Sequence, residues 1–155
     1  MAIIYDESQK VFTLQTKKTT YQMKAGEYGV LLHLYYGARV DCGTMDYLIQ
    51  KNDIGFAGNP YEAGSDRTFS LDILPQEFPS SGVGDYRNNC IGVCLPDGTR
   101  AADFRYISHE ISDGARKIPG MPCLFDEEAR GETLVICMKD PVTSLEVELH
   151  YVVFE

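Results

Sequence analysis

A chain of 155 residues, 44% hydrophobic and 24% charged, is one ordinary globular domain with enough apolar side chains to bury a core. Its 23 acidic against 14 basic residues give a formal net charge of -9, which argues against nucleic acid or an anionic membrane surface as partner, because both need clustered Lys and Arg. The N-terminus lacks a basic segment leading into an apolar one, no run approaches the ~20 apolar residues that span a bilayer, and five irregularly spaced cysteines suit reduced thiols, so a soluble cytoplasmic chain is expected.

The first forty residues alternate as half-buried strands do. AIIYD, VFTLQT and TTYQMK are separated by turn-like residues, and YGVLLHLYYG follows the break at Ala25-Gly26. In that last run Val30, Leu32, Leu34 and Tyr36 share one face, and Leu31, His33 and Tyr35 the other. Both faces are largely apolar, so the strand is expected to be covered on both sides. Residues 38–64 show no sustained period, which marks a functional or partner-covered segment, or else a surface loop.

Strand character returns at Thr68–Asp72, and Pro75 and Pro79 then forbid a central strand. Cys90–Leu95 reads as a strand ending in the turn Pro96-Asp97-Gly98, with FRYISHEI (Phe104–Ile111) paired to it across that turn. KIPGMPCLF is irregular. Glu132–Lys139 and Leu145–Phe154 are the clearest strands, with Leu134, Ile136 and Met138 on one face and Leu145, Val147, Leu149, Tyr151 and Val153 on another. Asp140-Pro141 supplies the turn between them. No amphipathic helix of ten or more residues emerges, so the expected fold class is all-β, an antiparallel β-sandwich. VELHYVVFE stops in mid-pattern on an apolar strand, and the chain is therefore expected to be part of a longer protein.

Few residues carry chemistry. Cys90 and Cys94 lie too far apart along a strand for one zinc, and His33, His109 and His150 each stand alone, so structural histidines and buried thiols are expected, with no metal site and no cofactor. No nucleophile elbow or phosphate loop is present. The densest polar stretch is SDRTFSLDILPQEFPSSGVGDYR, Ser65 to Arg87. Asp53, Asp66, Asp72, Glu77 and Asp85 fall in or beside it, with Arg67 and Arg87 as natural partners. Two acids flanking a sugar could run glycoside hydrolysis. Alternatively, Asp66, Arg67, Glu77 and Arg87 form salt bridges that hold backbone lacking ladder bonds.

That stretch, followed by DFRYISHEI, IPGMPCLF and ETLVICMKDPVTSLEVELHYVVFE, resembles the N-terminal region of bacterial α-galactosidases of glycoside hydrolase family 36. The resemblance implies the first part of a β-supersandwich, galactose-mutarotase-like, over residues 1–155, incomplete at its C-terminal end and preceding a (β/α)8 barrel that this chain does not contain. The catalytic aspartates of the family lie on that barrel, so no catalytic residue is expected here and the fragment alone should be inactive. The implied function is a non-catalytic part of an enzyme that hydrolyses terminal α-galactosides such as melibiose and raffinose. It would support a homo-oligomer, a tetramer in many members, and lend a loop to the sugar pocket of a neighbouring subunit. On that resemblance Asp53 and Arg67 are the substrate-binding residues, and Asp66, Asp72, Glu77, Asp85 and Arg87 scaffold the loop. Arg67 could instead brace the loop through Asp66 or Asp85. The alternative function is a stand-alone carbohydrate-binding sandwich module.

Overall fold

The computed structural model describes residues 2–41, 43–53, 55, 58–122 and 131–154. The N-terminal part is an antiparallel meander of β1 (Ile3–Asp6), β2 (Val11–Gln15), β3 (Thr19–Ala25) and β4 (Leu31–Ala38), each strand beside its successor. Short polar side chains close the turns. Asp6 Oδ1 accepts the Ser8 hydroxyl at 2.6 Å and the Gln9 amide at 3.1 Å, and Thr16 Oγ1 accepts the amides of Lys18 and Thr19. A second antiparallel sheet contains β5 (Arg105–Asp113), β6 (Gly131–Lys139) and β7 (Glu146–Phe154), with β6 in the middle. Asp140 builds the β6–β7 turn: Oδ1 accepts the amides of Val142 and Thr143, while Oδ2 accepts that of Asp103. Among the described residues the only helical pieces are short 3-10 turns at Glu27–Gly29, Asp46–Leu48 and Tyr61–Ala63.

The two sheets face each other across one core. Ile3, Phe12, Leu14, Met23 and Leu31 of the first meet Leu134, Ile136, Met138 and Val153 of the second, with Val147, Leu149 and Tyr151 at the margin. The alternation expected for the last two strands therefore points where the sequence puts it. Each such side chain, fully buried, contributes about 1.5–3 kcal/mol, the main term holding the sheets together. A polar tie crosses the same gap, where the Ile3 amide donates to Glu132 Oε2 at 2.8 Å.

The outer face of β4 is covered as well. Leu32 packs with Val30, Ala63, Phe69, Leu71 and Leu74, and Leu34 packs with Val11 and Met45. The irregular segment after β4 supplies this cover and is anchored by Gln22, whose Oε1 accepts the Met45 amide at 2.8 Å. One detail of the expected faces is corrected. A register shift between Gln22 and Met23 lets Met23 face His33 while Gln22 faces Tyr35, so the parity flips across Leu34. Tyr36 consequently joins Tyr21, ring centroids 5.8 Å apart, rather than the face of Leu32.

Two expected strands are absent. Residues 68–72 are turns, with the amides of Ile73 and Leu74 both bonded to the Ser70 carbonyl. The alternation of Phe69 and Leu71 reflects side chains dipping into a small separate cluster, not a pleat. Residues 90–95 lack a partner strand: Ile91 and Val93 lean on the core edge, and the backbone makes a single parallel bridge from Ile91 to Ser80. The turn at Pro96-Asp97-Gly98 exists nonetheless, closed by Gly98 N–H on the Leu95 carbonyl. β5 accordingly pairs with β6 and not with residues 90–95. Cys90 and Cys94, expected to be buried, are exposed free thiols, and Cys137 is half-buried. Cys42 and Cys123 lie outside the described residues.

Candidate sugar-facing loop

The irregular backbone of residues 65–87 is held by a fork between neighbours. Arg87 Nε donates to Asp85 Oδ1 at 2.9 Å, and Nη2 donates to Oδ2 at 2.8 Å. The same Nη2 reaches the carbonyls of Leu71 and Leu74, both at 2.8 Å. Gln76 donates to Asp85 Oδ2 at 2.7 Å and to the Leu71 carbonyl. One guanidinium and one carboxylate thus satisfy backbone groups that no strand ladder serves. Asp85 is 1% exposed at its side chain. Burial opposes its ionisation, yet hydrogen bonds from Arg87 and Gln76 prevail and hold the carboxyl below the usual carboxylate range.

The other acids of the loop have separate tasks. Asp66 Oδ1 accepts the Thr68 hydroxyl at 2.6 Å and its amide at 2.9 Å, and these bonds keep its carboxyl below the ordinary value. Asp72 Oδ1 accepts the Tyr86 amide at 3.3 Å. Glu77 leaves the loop altogether. Its side chain, 8% exposed, enters between the sheets to meet Tyr21, Tyr151 and His33. The long-range partners of Glu77 had no signature in the sequence, because they come from three different strands.

Asp53 and Arg67, fourteen positions apart, are brought together. Arg67 Nη2 lies 3.2 Å from Asp53 Oδ1 and donates to the Gly55 carbonyl at 3.2 Å, while the Gly55 amide donates back to Asp53 Oδ1 at 2.9 Å. Arg67 therefore braces neither through Asp66 nor through Asp85. The side chains remain 59% and 50% exposed, so carboxylate and guanidinium both face solvent. Such a pair offers acceptors and donors side by side, which is what vicinal sugar hydroxyls require. Nearby, Gly84, at φ 92°, passes so close to Gly58 that a Cβ there would sit 2.8 Å from the Gly58 carbonyl oxygen.

A cleft of about 210 Å³ is lined by Lys51 and Phe69, each two residues along the chain from a member of this pair. Its walls carry two ion pairs, Lys24 with Asp46 and Lys51 with Glu27, each at 2.9 Å. Leu32, Ile49 and Phe69 form its apolar side, with the Lys51 ammonium 5.3 Å from the Phe69 ring centroid. Sequence reasoning missed Lys51 and Phe69. Their signal was the two-residue step from Lys51 to Asp53 and from Arg67 to Phe69, which only the fold sets side by side. Among the described residues no three His, Cys, Asp or Glu side chains cluster so as to hold a metal ion.

The glycosyl hydrolase family 36 N-terminal domain matches residues 29–155 of the chain. The bifunctional α-galactosidase/sucrose kinase AgaSK of Mediterraneibacter gnavus is 47% identical over all 155 residues, which cover 16% of that protein. The solved galactosidase domain of AgaSK superposes with a TM-score of 0.94 at 47% identity, covering 99% of this chain and 21% of that one. A variant of the α-galactosidase AgaA of Geobacillus stearothermophilus, solved with raffinose, gives a TM-score of 0.85 at 37% identity, covering 94% of this chain and 20% of that one. Another AgaA structure contains stachyose. The chain thus spans about a fifth of the solved chains it matches and 16% of AgaSK.

Proposed function

This chain belongs to the glycosyl hydrolase family 36 N-terminal domain family, and from that premise we propose that it is the non-catalytic N-terminal part of an α-galactosidase, completing the sugar pocket with Asp53 and Arg67 and supporting the oligomer. The observation that carries this reading is the exposed Asp53–Arg67 contact. A charge pair half in water adds little to stability, and its two exposed side chains stay available to a ligand. The complexes of AgaA with raffinose and stachyose support α-galactosides, with polar, uncharged rings, as the substrate class. The net charge of -9 agrees with a neutral ligand rather than a phosphorylated one. The catalytic carboxylates would lie on a barrel outside this chain, and the loop would serve as an accessory wall.

The test is kinetic, in the intact enzyme that carries this chain. Arg67→Ala is expected to lower kcat/KM for melibiose about tenfold or more, the loss of one or two charge-assisted hydrogen bonds, with the melting temperature unchanged. Wild-type kinetics would return Arg67 to a bracing role. Separating subunits by dilution should lower the activity of the wild type if the loop acts on a neighbour's pocket.

A further inference from the structure

Lys51 and Phe69 touch, and so do Asp53 and Arg67. The two contacts step in opposite directions along their segments, so Lys51 and Phe69, which line the cleft, each stand two residues along the chain from a member of the Asp53–Arg67 pair. We infer that this cleft is a second sugar subsite, which takes a further ring of the oligosaccharide whose first ring meets Asp53 and Arg67. The inference rests on the reading of that pair given above.

The chemistry of the walls selects the ligand. Lys24 and Lys51 are cancelled by Asp46 and Glu27, so the cleft offers no net charge to an anion such as a phosphate, or to a cation. It offers instead two carboxylates and two ammonium groups, held by their own ion pairs, which accept from and donate to hydroxyls. Leu32, Ile49 and Phe69 supply the apolar side against which the C–H face of a pyranose packs. At about 210 Å³ the cleft has room for a single ring. Its charged groups are partly exposed and bonded pairwise, so they are reachable by a ligand without unfolding the loop.

A second subsite discriminates by chain length. In the intact enzyme, Glu27→Gln and Lys51→Met are each expected to lower the ratio of kcat/KM for melibiose, which has two rings, to kcat/KM for α-galactosyl fluoride, which has one, about fivefold to tenfold, by removing one or two hydrogen bonds to the second ring. Melting temperatures within one or two degrees of wild type would accompany this, since both ion pairs are surface pairs. A ratio that stays at the wild-type value in both variants overturns the subsite, whether the individual constants fall together or not. Arg67→Ala separates the two readings. If it lowers the constants for both sugars while the Glu27 and Lys51 variants leave the ratio intact, the pair binds sugar and the cleft does not. If Arg67→Ala changes nothing, the pair's role and the subsite fail together.

Discussion

Tyr21 and Tyr151 stand on opposite sheets and donate to the same oxygen, Glu77 Oε1, at 2.5 and 2.8 Å. His33 Nδ1 lies 3.3 Å from the other oxygen, and the Glu77 amide donates to the Leu31 carbonyl. The loop therefore reaches the core through one carboxylate that stitches β3, β4 and β7. Glu77→Ala would leave two phenols and an imidazole without their shared acceptor, and is expected to cost about 3 kcal/mol. Glu77→Gln, which keeps one acceptor oxygen, should cost less. Urea unfolding with an unchanged m-value checks both.

The same cluster gives an alkaline signature. Burial first, and the Glu77 carboxylate second, push Tyr21 and Tyr151 well above the ordinary phenol range. A raised folded-state pKa contributes stability that is whole below the unfolded value of about 10 and is lost as pH rises toward the folded value. The gap in melting temperature between wild type and Tyr151→Phe should accordingly narrow above about pH 10. A gap that is constant across the alkaline range would show that ionisation of Tyr151 is not linked to folding.

The Asp85–Arg87 fork has the opposite sign. Asp85 is held below its usual value, so its contribution is present above the unfolded pKa of about 4 and disappears as pH falls through the folded one. Asp85→Asn should lower stability at neutral pH and flatten the acid limb of the stability curve. Arg87→Ala leaves a buried carboxylate with only the residue 87 amide and Gln76 as donors and should cost about 2–3 kcal/mol. Melting temperatures from pH 3 to 7 decide both.

Arg67 and Asp53 should behave differently from those two. Their contact is exposed on both sides, and removing either partner is expected to change stability by less than about 1 kcal/mol. A loss of several kcal/mol in Arg67→Ala would mark it as a brace instead. Measuring stability and kinetics on the same preparation keeps the two effects apart.

Gly84→Ala tests how the loop is seated. The new Cβ would meet the Gly58 carbonyl oxygen at 2.8 Å, in a backbone conformation that L side chains rarely adopt. We expect a loss of about 1–3 kcal/mol and faster proteolysis within residues 58–87. Gly92→Ala, with nothing near its Cβ, is the control and should be close to neutral.

Five of the seven named site residues hold the loop or cross to the core, and two meet in solvent. Asp85 and Arg87 were legible as partners because they are two residues apart, so the fork is local. Asp66 capping Thr68 is local too. The partners of Glu77 lie 44 to 74 positions away, on β4, β3 and β7, and no spacing rule links them. The strands expected at residues 68–72 and 90–95 failed for a related reason. Alternation records which side chains are buried, but a strand also needs a neighbour with unpaired backbone, and neither segment has one.

By itself the sequence determined the fold class, the strands of both sheets from their two-residue period, and the family from the motifs between Ser65 and Arg87. These depend on local order along the chain: which residues alternate, and where proline and glycine end a run. Only the tertiary structure decided that β5 joins β6, that Glu77 leaves its loop for the gap between sheets, and that Asp53 meets Arg67 and Lys51 meets Phe69. Those are pairings between distant segments. They are set by which buried polar groups still need a partner once the core has closed.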